Sequence, residues 1–376
     1  MPDAVIIGAG PAGSVASILL ARRGWRVTLL EQHRFPRDKV CGECLSALGI
    51  DVLSRLGLAD DIASLQPVRL RRSIFVAPSG ETATFDLPRE MWGLPRSVMD
   101  ERLMTAARDA GVFVQDLHRC EDVQGGVCPI VRARDLRTNE IREFSPQVVI
   151  IADGKAALGE TRPDMTGEFG LKAHFAGIDA PADAIVLLGA RGHYVGVASI
   201  GHDRWNVAMS VGQPCLRACD GDGDRVLDLM KSENIALAQM FRSATRFGDW
   251  LAAPLPRFGV AKAWSRRVIP VGNAAAALEP IGGEGMGLAM RSAELAATAI
   301  DAAQRRNEEP DAGALRRAYH RLWKTRSRAC RAAAWAISSP TFADIAVQAA
   351  ASSDVVARLG MMLVGKSRSA QLDLGE

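Results

Sequence analysis

The chain has 376 residues, 48% hydrophobic and 24% charged, a balance that excludes a largely disordered polymer. Its net charge of +3, from 46 basic and 43 acidic residues, offers no electrostatic footprint for nucleic acid. Seven scattered cysteines (Cys41, Cys44, Cys120, Cys128, Cys215, Cys219 and Cys330) argue against a secreted disulfide framework. The N-terminus has no charged leader or cleavage site and no apolar run reaches membrane-spanning length. The expected location is cytoplasmic, with peripheral membrane contact left open.

The first predicted element is a buried parallel strand, Asp3 to Ile7, apolar and partly β-branched. It leads into Gly8-Ala9-Gly10-Pro11-Ala12-Gly13, a G-x-G-x-x-G. Val15, Ile18, Leu19 and Leu20 then fall at helical spacing, and Arg22-Arg23-Gly24 closes that helix. Trp25 to Leu30 reads as a second strand that ends at Glu31. Gly8 permits the tight turn, Gly10 lets backbone approach a pyrophosphate, and Gly13 lets helix and strand pack closely. The helix N-terminus offers free N–H groups to that pyrophosphate. Glu31 lies about twenty residues on, where a carboxylate accepts from ribose hydroxyls and argues against a 2′-phosphate. FAD or NAD, rather than NADP, is the expected ligand there.

Four ordered segments carry a resemblance. Arg34-Phe35-Pro36-Arg37-Asp38-Lys39-Val40-Cys41-Gly42-Glu43 resembles the loop after the second strand in geranylgeranyl-reductase-like FAD-dependent oxidoreductases, relatives of the aromatic hydroxylases and flavin halogenases. Arg96, Asp100 and Leu103 resemble the R-x-x-x-D-x-x-L helix of this superfamily. Val148 to Gly154 resembles its strand ending in Asp153-Gly154. Ile269 to Ala275, continuing through Pro280-Ile281-Gly282-Gly283-Glu284-Gly285-Met286, resembles the motif that holds the flavin ribityl chain. The resemblance implies FAD, with NAD(P)H as a transient reductant. It implies contacts to FAD from Gly8, Gly10, Pro11, Ala12, Gly13, Glu31, Lys39, Cys41, Gly42, Glu43, Arg96, Asp153, Gly154, Gly272, Asn273, Pro280, Gly283, Gly285 and Met286. Asn273 stands where the family usually has Asp, so the ligand contact there loses a charge.

The expected fold is α/β (α+β overall). A Rossmann-like FAD-binding domain is assembled from 1–70, 95–165 and 262–300. A substrate-binding β-sheet domain is inserted from 71–94 and 166–261, and 301–376 forms a C-terminal helical extension. Ser73–Ala77 with Thr82–Leu87, and His193–Ile200 with Arg204–Val211, read as hairpins around Gly-containing turns. Leu171–Ala176 and Ala184–Leu188 are further strands, and Asp224 to Met240 a helix. From Gly285 the chain reads as helix, interrupted near Asn307–Pro310 and Ser338–Pro340. Its basic residues Arg316, Arg317, Arg321, Lys324, Arg326, Arg328 and Arg331 suit a solvated face, an acidic carrier or protein partner, or a membrane surface. Val355 to Val364 is amphipathic.

Flavin carries the reactivity while the protein orients substrate and excludes water. The halogenase signature W-x-W-x-I-P is absent, and Gly192 to Ala198 replaces the Y-x-W-x-F-P of the reductases. The expected activity is an FAD-dependent monooxygenase that uses NAD(P)H and O2 to hydroxylate an aromatic or unsaturated substrate. That substrate is a small molecule or is bound to a carrier or peptide, such as the tryptophan of a quinoprotein precursor. The alternatives are reduction of a C=C bond and a non-catalytic flavin-binding subunit. Cys41, within Cys41-Gly42-Glu43-Cys44, is a candidate thiol beside the flavin; His193 and Tyr194 are candidates to orient substrate or act as acid–base. No ligand spacing for a metal is present.

Overall fold

The computed structural model describes residues 2–154, 158, 167–261, 264–265 and 267–352. Five parallel strands form the first sheet, in the spatial order Val268–Pro270, Val148–Ile151, Ala4–Ile7, Val27–Leu30, Phe113–Gln115. Two of the three inner strands, Ala4–Ile7 and Val148–Ile151, are, like the third, buried at every position. That is why both read as unbroken apolar runs rather than alternating ones. From Ala4–Ile7 the chain winds outward to one side through Val27–Leu30, and to the other through Val148–Ile151. Ligands of open α/β sheets bind at such a switch point, beyond the carboxyl ends of the strands. Here Gly8 and Ala152 meet there, so closely that a Cβ on Gly8 would lie 2.5 Å from the Ala152 carbonyl oxygen.

The helix Pro11–Arg22 begins directly after the glycine turn, with Pro11 in its first position where a missing N–H is harmless. A Cβ on Gly13 would sit 1.8 Å from the Gly8 carbonyl oxygen, so only glycine lets this helix lie so close to the strand before it. Behind it runs the long helix Gly285–Arg305. It also meets the helix Ala47–Arg55 at Gly287 and Gly49.

The second sheet has eight strands, in the order Thr245–Pro254, Glu168–Ala176, Arg204–Gly212, His193–Gly201, Ala184–Ala190, Val68–Val76, Thr82–Gly93, Cys44–Leu45. All neighbours are antiparallel except Ala184–Ala190 beside Val68–Val76. Both expected hairpins form. The strand Thr245–Pro254 was not foreseen, because none of its positions is fully buried and its alternation is faint. The expected helix from Asp224 to Met240 is two: Gly223–Glu233 and Ile235–Met240. They part at Asn234, which is extended (φ −139°, ψ 107°). Its side-chain oxygen caps the second helix by accepting from Leu237 N–H, while its amide donates to the carbonyls of Ala77 and Gly189.

A three-stranded meander, His118–Gln124, Ile130–Asp135 and Ile141–Phe144, covers the outer face of the first sheet. The tail folds into the helices Ala312–Ser338 and Pro340–Ser352, broken at the foreseen Ser338–Pro340. The amphipathic segment 355–364 lies outside the described residues. No helix among the described residues is long and apolar enough to cross a membrane.

Candidate flavin site and adjoining cavity

The two sheets enclose a cavity of about 250 Å³. Gly10, Pro11 and Ala12 line it from the glycine turn, and Lys39 to Cys44 from the loop after the second strand. Arg96, Ala152 and Gly154 line it as well, together with Val271, Gly272, Asn273, Pro280 to Gly283, Gly285 and Met286. Of the residues expected to contact FAD, only Gly8, Gly13, Glu31 and Asp153 are absent from this lining. Gly8 and Gly13 shape the turn from behind. Asp153 accepts from the Leu158 N–H. Glu31 is buried at the end of its strand, where its two oxygens accept from the N–H groups of Ala9 and His33 at 2.9 Å each. Each carboxylate oxygen keeps a further lone pair for a ribose hydroxyl.

The cradle suits a dinucleotide on its own geometry. A Cβ built on Gly285 meets nothing within 4 Å, and one on Gly10 only the end of Arg96 at 4.0 Å, so backbone is bared to the cavity at both places. Gly283 adopts φ 65°, a left-handed turn that sends the chain into the helix Gly285–Arg305. That helix therefore starts at the cavity with its free N–H groups and positive dipole end inward. The turn before it is pinned by Ser292, whose hydroxyl accepts from Gly272 N–H at 2.8 Å. Tyr319, from the C-terminal helix Ala312–Ser338, in turn donates to the Ser292 carbonyl at 2.7 Å. The helical tail thus braces the flavin cradle.

Glu43 organises the opposite wall. It is fully buried and its backbone is left-handed (φ 55°), which is rare outside glycine. Its Oε1 accepts from the Arg96 N–H at 2.8 Å and from Lys172 Nζ at 2.7 Å; its Oε2 lies 2.7 Å from His174 Nε2. Glu43 does not cap the helix that follows it in sequence. It caps Arg96–Asp109 instead, at that helix's first N–H. Burial works against the charge on Arg96, but its bidentate pair with Asp100 and the sulfur of Cys41 outweigh this and raise its pKa. The guanidinium is thus a fixed cation at the cavity wall, with Cys41 beside it. Asn206 donates to the Cys41 carbonyl at 3.2 Å and holds the loop down. Cys41 and Cys44 are both free thiols.

Asp38, Glu43 and His174 bring three potential ligand atoms within 4.8 Å of one another. The Lys172 ammonium, 2.7 Å from Glu43 and 3.3 Å from Asp38, already occupies the place of a cation. Lys172 and His174 were not foreseen. Their signal was two basic residues two apart on one strand, so that both point to the same face.

On the substrate side the cavity is walled by Leu171, Ile185, Leu187, Gly196, Val197, Ala198, Ala208, Met209 and Ala253. Most are apolar and several are small, which makes room for a flat, apolar molecule. Tyr194 and Ser210 add the polar groups there. The Tyr194 hydroxyl donates to Glu279 Oε1 at 2.5 Å. Burial, followed by the neighbouring Glu279, raises the Tyr194 pKa well above its ordinary value. Burial pushes Glu279 up to about 7, against the lowering effects of the Tyr194 hydrogen bond and the Arg331 charge. Glu279 was missed in the sequence because a lone Glu before Pro280 has no pattern. His193 does not join this group. Strand alternation turns it away from Tyr194, and its Nδ1 accepts from Gly212 N–H at 3.4 Å.

Comparison with known proteins agrees with this geometry. Conditioned medium factor receptor 1 of Dictyostelium discoideum is 25% identical over 323 residues, covering 79% of this chain and 63% of its own length. The present chain therefore spans under two thirds of that relative. Kynurenine 3-monooxygenase of Stenotrophomonas maltophilia is 26% identical over 320 residues, covering 76% of this chain and 68% of that protein. In three dimensions a flavoprotein/dehydrogenase of Cytophaga hutchinsonii superposes with a TM-score of 0.81 at 20% identity, over 97% of this chain and 92% of that one. It shares the fold. Residues 1–199, more than half of the sequence, match the family described as FAD binding domain. With glycine turn, buried carboxylate and bared backbone all at one sheet switch point, the chain belongs to the FAD binding domain family.

Proposed function

We propose that this protein is an FAD-dependent monooxygenase that draws electrons from NAD(P)H and transfers one oxygen atom from O2 to an aromatic or unsaturated substrate, free or held on a carrier or peptide. Bound FAD supplies two-electron redox chemistry and the activation of O2. The protein's part is to bind, orient and exclude water. Gly8 to Gly13 and Glu31 hold the dinucleotide, and the N-terminus of Gly285–Arg305 favours negative charge on what binds against it. Arg96, kept charged by Asp100, adds a second fixed cation.

The Tyr194–Glu279 pair carries the reading. Tyr194 lines the cavity and Glu279 stands behind it, with a pKa of about 7. A phenol in the cavity can pass its proton to the Tyr194 oxygen as Tyr194 passes its own to Glu279. The ring then becomes electron-rich, which is what an electrophilic oxygen needs. A buried base with a pKa near the working pH suits this task. The relative named kynurenine 3-monooxygenase supports the same class.

A second reading, reduction of a C=C bond, is favoured by Cys41 at the cavity wall beside Arg96. One experiment separates the two. The FAD-loaded protein is incubated with NADPH, 18O2 and a panel of phenols, indoles, tryptophan peptides and polyprenyl lipids. One labelled oxygen atom in a product, lost in Tyr194→Phe, supports oxygenation. A product formed without oxygen and two hydrogens heavier than its substrate replaces it with the reductase.

A further inference from the structure

We infer that the C-terminal helices dock the protein onto the surface of an anionic lipid bilayer. The helix Ala312–Ser338 contains seven Arg and Lys residues and no Asp or Glu. Arg317, Arg321, Lys324, Arg328, Arg331 and Trp335 follow one another at steps of four and three residues. This spacing places them on one face of the helix. All six are exposed. The opposite face, with Leu315, Tyr319, Leu322, Cys330 and Ile337, is buried against the body of the protein. From Arg317 to Arg331 the cations extend over about 21 Å of straight helix, as a row that a flat surface can meet all at once.

A solvated basic face is ordinarily laced with acids at i±3 or i±4. This one is not. Arg317 has Asp311 at 3.8 Å, but among the described residues Arg321, Lys324, Arg328 and Arg331 are in no ion pair. The row also ends in exposed apolar groups. Trp335 packs against Phe342 in a tilted pair with ring centroids 4.7 Å apart. Trp335 is 56% exposed, Phe342 50%, and Ile345, one turn further along the next helix, 59%. Basic residues in line with an exposed Trp, Phe and Ile are the composition of an interfacial membrane-binding face. The cations attract anionic headgroups, and the aromatic end enters the boundary beneath them. A row of acidic groups on a protein would satisfy the cations but leaves the apolar end without a role. The charge of Arg331, in the same row, acts on Glu279, the hydrogen-bond partner of the cavity residue Tyr194. Docking would bring the apolar cavity to the source of an apolar substrate.

The test uses the FAD-loaded full chain and sedimentation with vesicles of phosphatidylcholine alone, or containing about one-third phosphatidylglycerol. The protein is expected to pellet with the anionic vesicles only, and to be largely released at about 0.5 M salt. The triple variant R321E/K324E/R328E is expected to bind at least about a hundredfold more weakly, since each basic residue near such a surface is worth roughly fivefold. Unchanged flavin content and circular dichroism will show that it still folds. W335S/F342S should lose the fraction of binding that resists salt. Wild-type protein that stays in the supernatant with anionic vesicles at low salt overturns the inference. So does a triple variant that pellets like wild type, or binding to poly-glutamate without binding to vesicles, which would make the face a site for an acidic protein.

Discussion

Glu279 offers a test whose sign and size both follow from its surroundings. The group is only 4% exposed and its pKa stands at about 7, against 4.5 for a free glutamate. Burial raises it, and the hydrogen bond from Tyr194 offsets only part of that rise. Between pH 4.5 and 7 the folded protein therefore keeps a proton on Glu279 that the unfolded chain has released. The folded state binds more protons in this window, so stability falls as pH rises through it. At 1.36 kcal/mol per pH unit, the rise in pKa corresponds to about 3 kcal/mol lost by neutral pH. Glu279→Gln removes the ionisation and keeps an oxygen to accept from Tyr194. The variant should match wild type in stability near pH 4.5 and exceed it by up to about 3 kcal/mol at pH 7.5. The assay is urea unfolding of FAD-loaded protein, followed by tryptophan emission, with the difference between the two proteins plotted against pH. Flavin absorbance at each pH checks that occupancy is equal. A difference that stays flat from pH 4.5 to 7.5 refutes the assignment of Glu279 as a buried group held neutral by desolvation. A difference that grows toward acid pH reverses its sign and would make Glu279 an ordinary paired carboxylate.

Glu31→Ala should purify depleted of flavin, with FAD affinity down at least about tenfold, since it loses the proposed ribose acceptor as well as the anchor for Ala9 N–H; flavin absorbance per chain after gel filtration is the measure. Gly13→Ala would drive a methyl group to 1.8 Å from the Gly8 carbonyl, so little folded, flavin-bearing protein is expected, and soluble yield with normal flavin content would show that the helix can retreat. Lys172→Met removes the ammonium from Glu43, leaves it His174 as side-chain partner among the described residues, and should cost about 3–5 kcal/mol in urea unfolding. Adding Glu43→Gln to Lys172→Met should recover part of that loss, because the buried negative charge is removed as well; no recovery would show that Lys172 acts through packing alone. Cys41→Ser should leave flavin content intact, and full retention of turnover with a substrate found in the labelling experiment would remove any essential thiol chemistry.

The parts of this molecule legible in sequence are those where one backbone requirement admits one residue type. Gly8 and Gly13 are such positions, because their contacts at 2.5 and 1.8 Å tolerate no Cβ. A buried parallel strand likewise admits only apolar residues, so Ala4–Ile7 and Val148–Ile151 declare themselves. The polar groups around the cavity answer to a different rule. Glu43, Lys172 and His174 are brought together from a loop and a strand more than a hundred residues away, and each is an ordinary residue in its local context. Tyr194 and Glu279 are 85 residues apart, and neither has a pattern of its own. Such groups are set by tertiary complementarity: a buried charge needs a partner, but sequence does not say which element supplies it. His193 and Tyr194 make the point in two adjacent residues. Both lie on a strand over the cavity, yet alternation alone decides that Tyr194 meets Glu279 while His193 turns to Gly212. The phase of that alternation is fixed by pairing with Ser210 and its neighbours on the adjoining strand. A one-residue slip would exchange the two, and with them the side chain that the cavity presents.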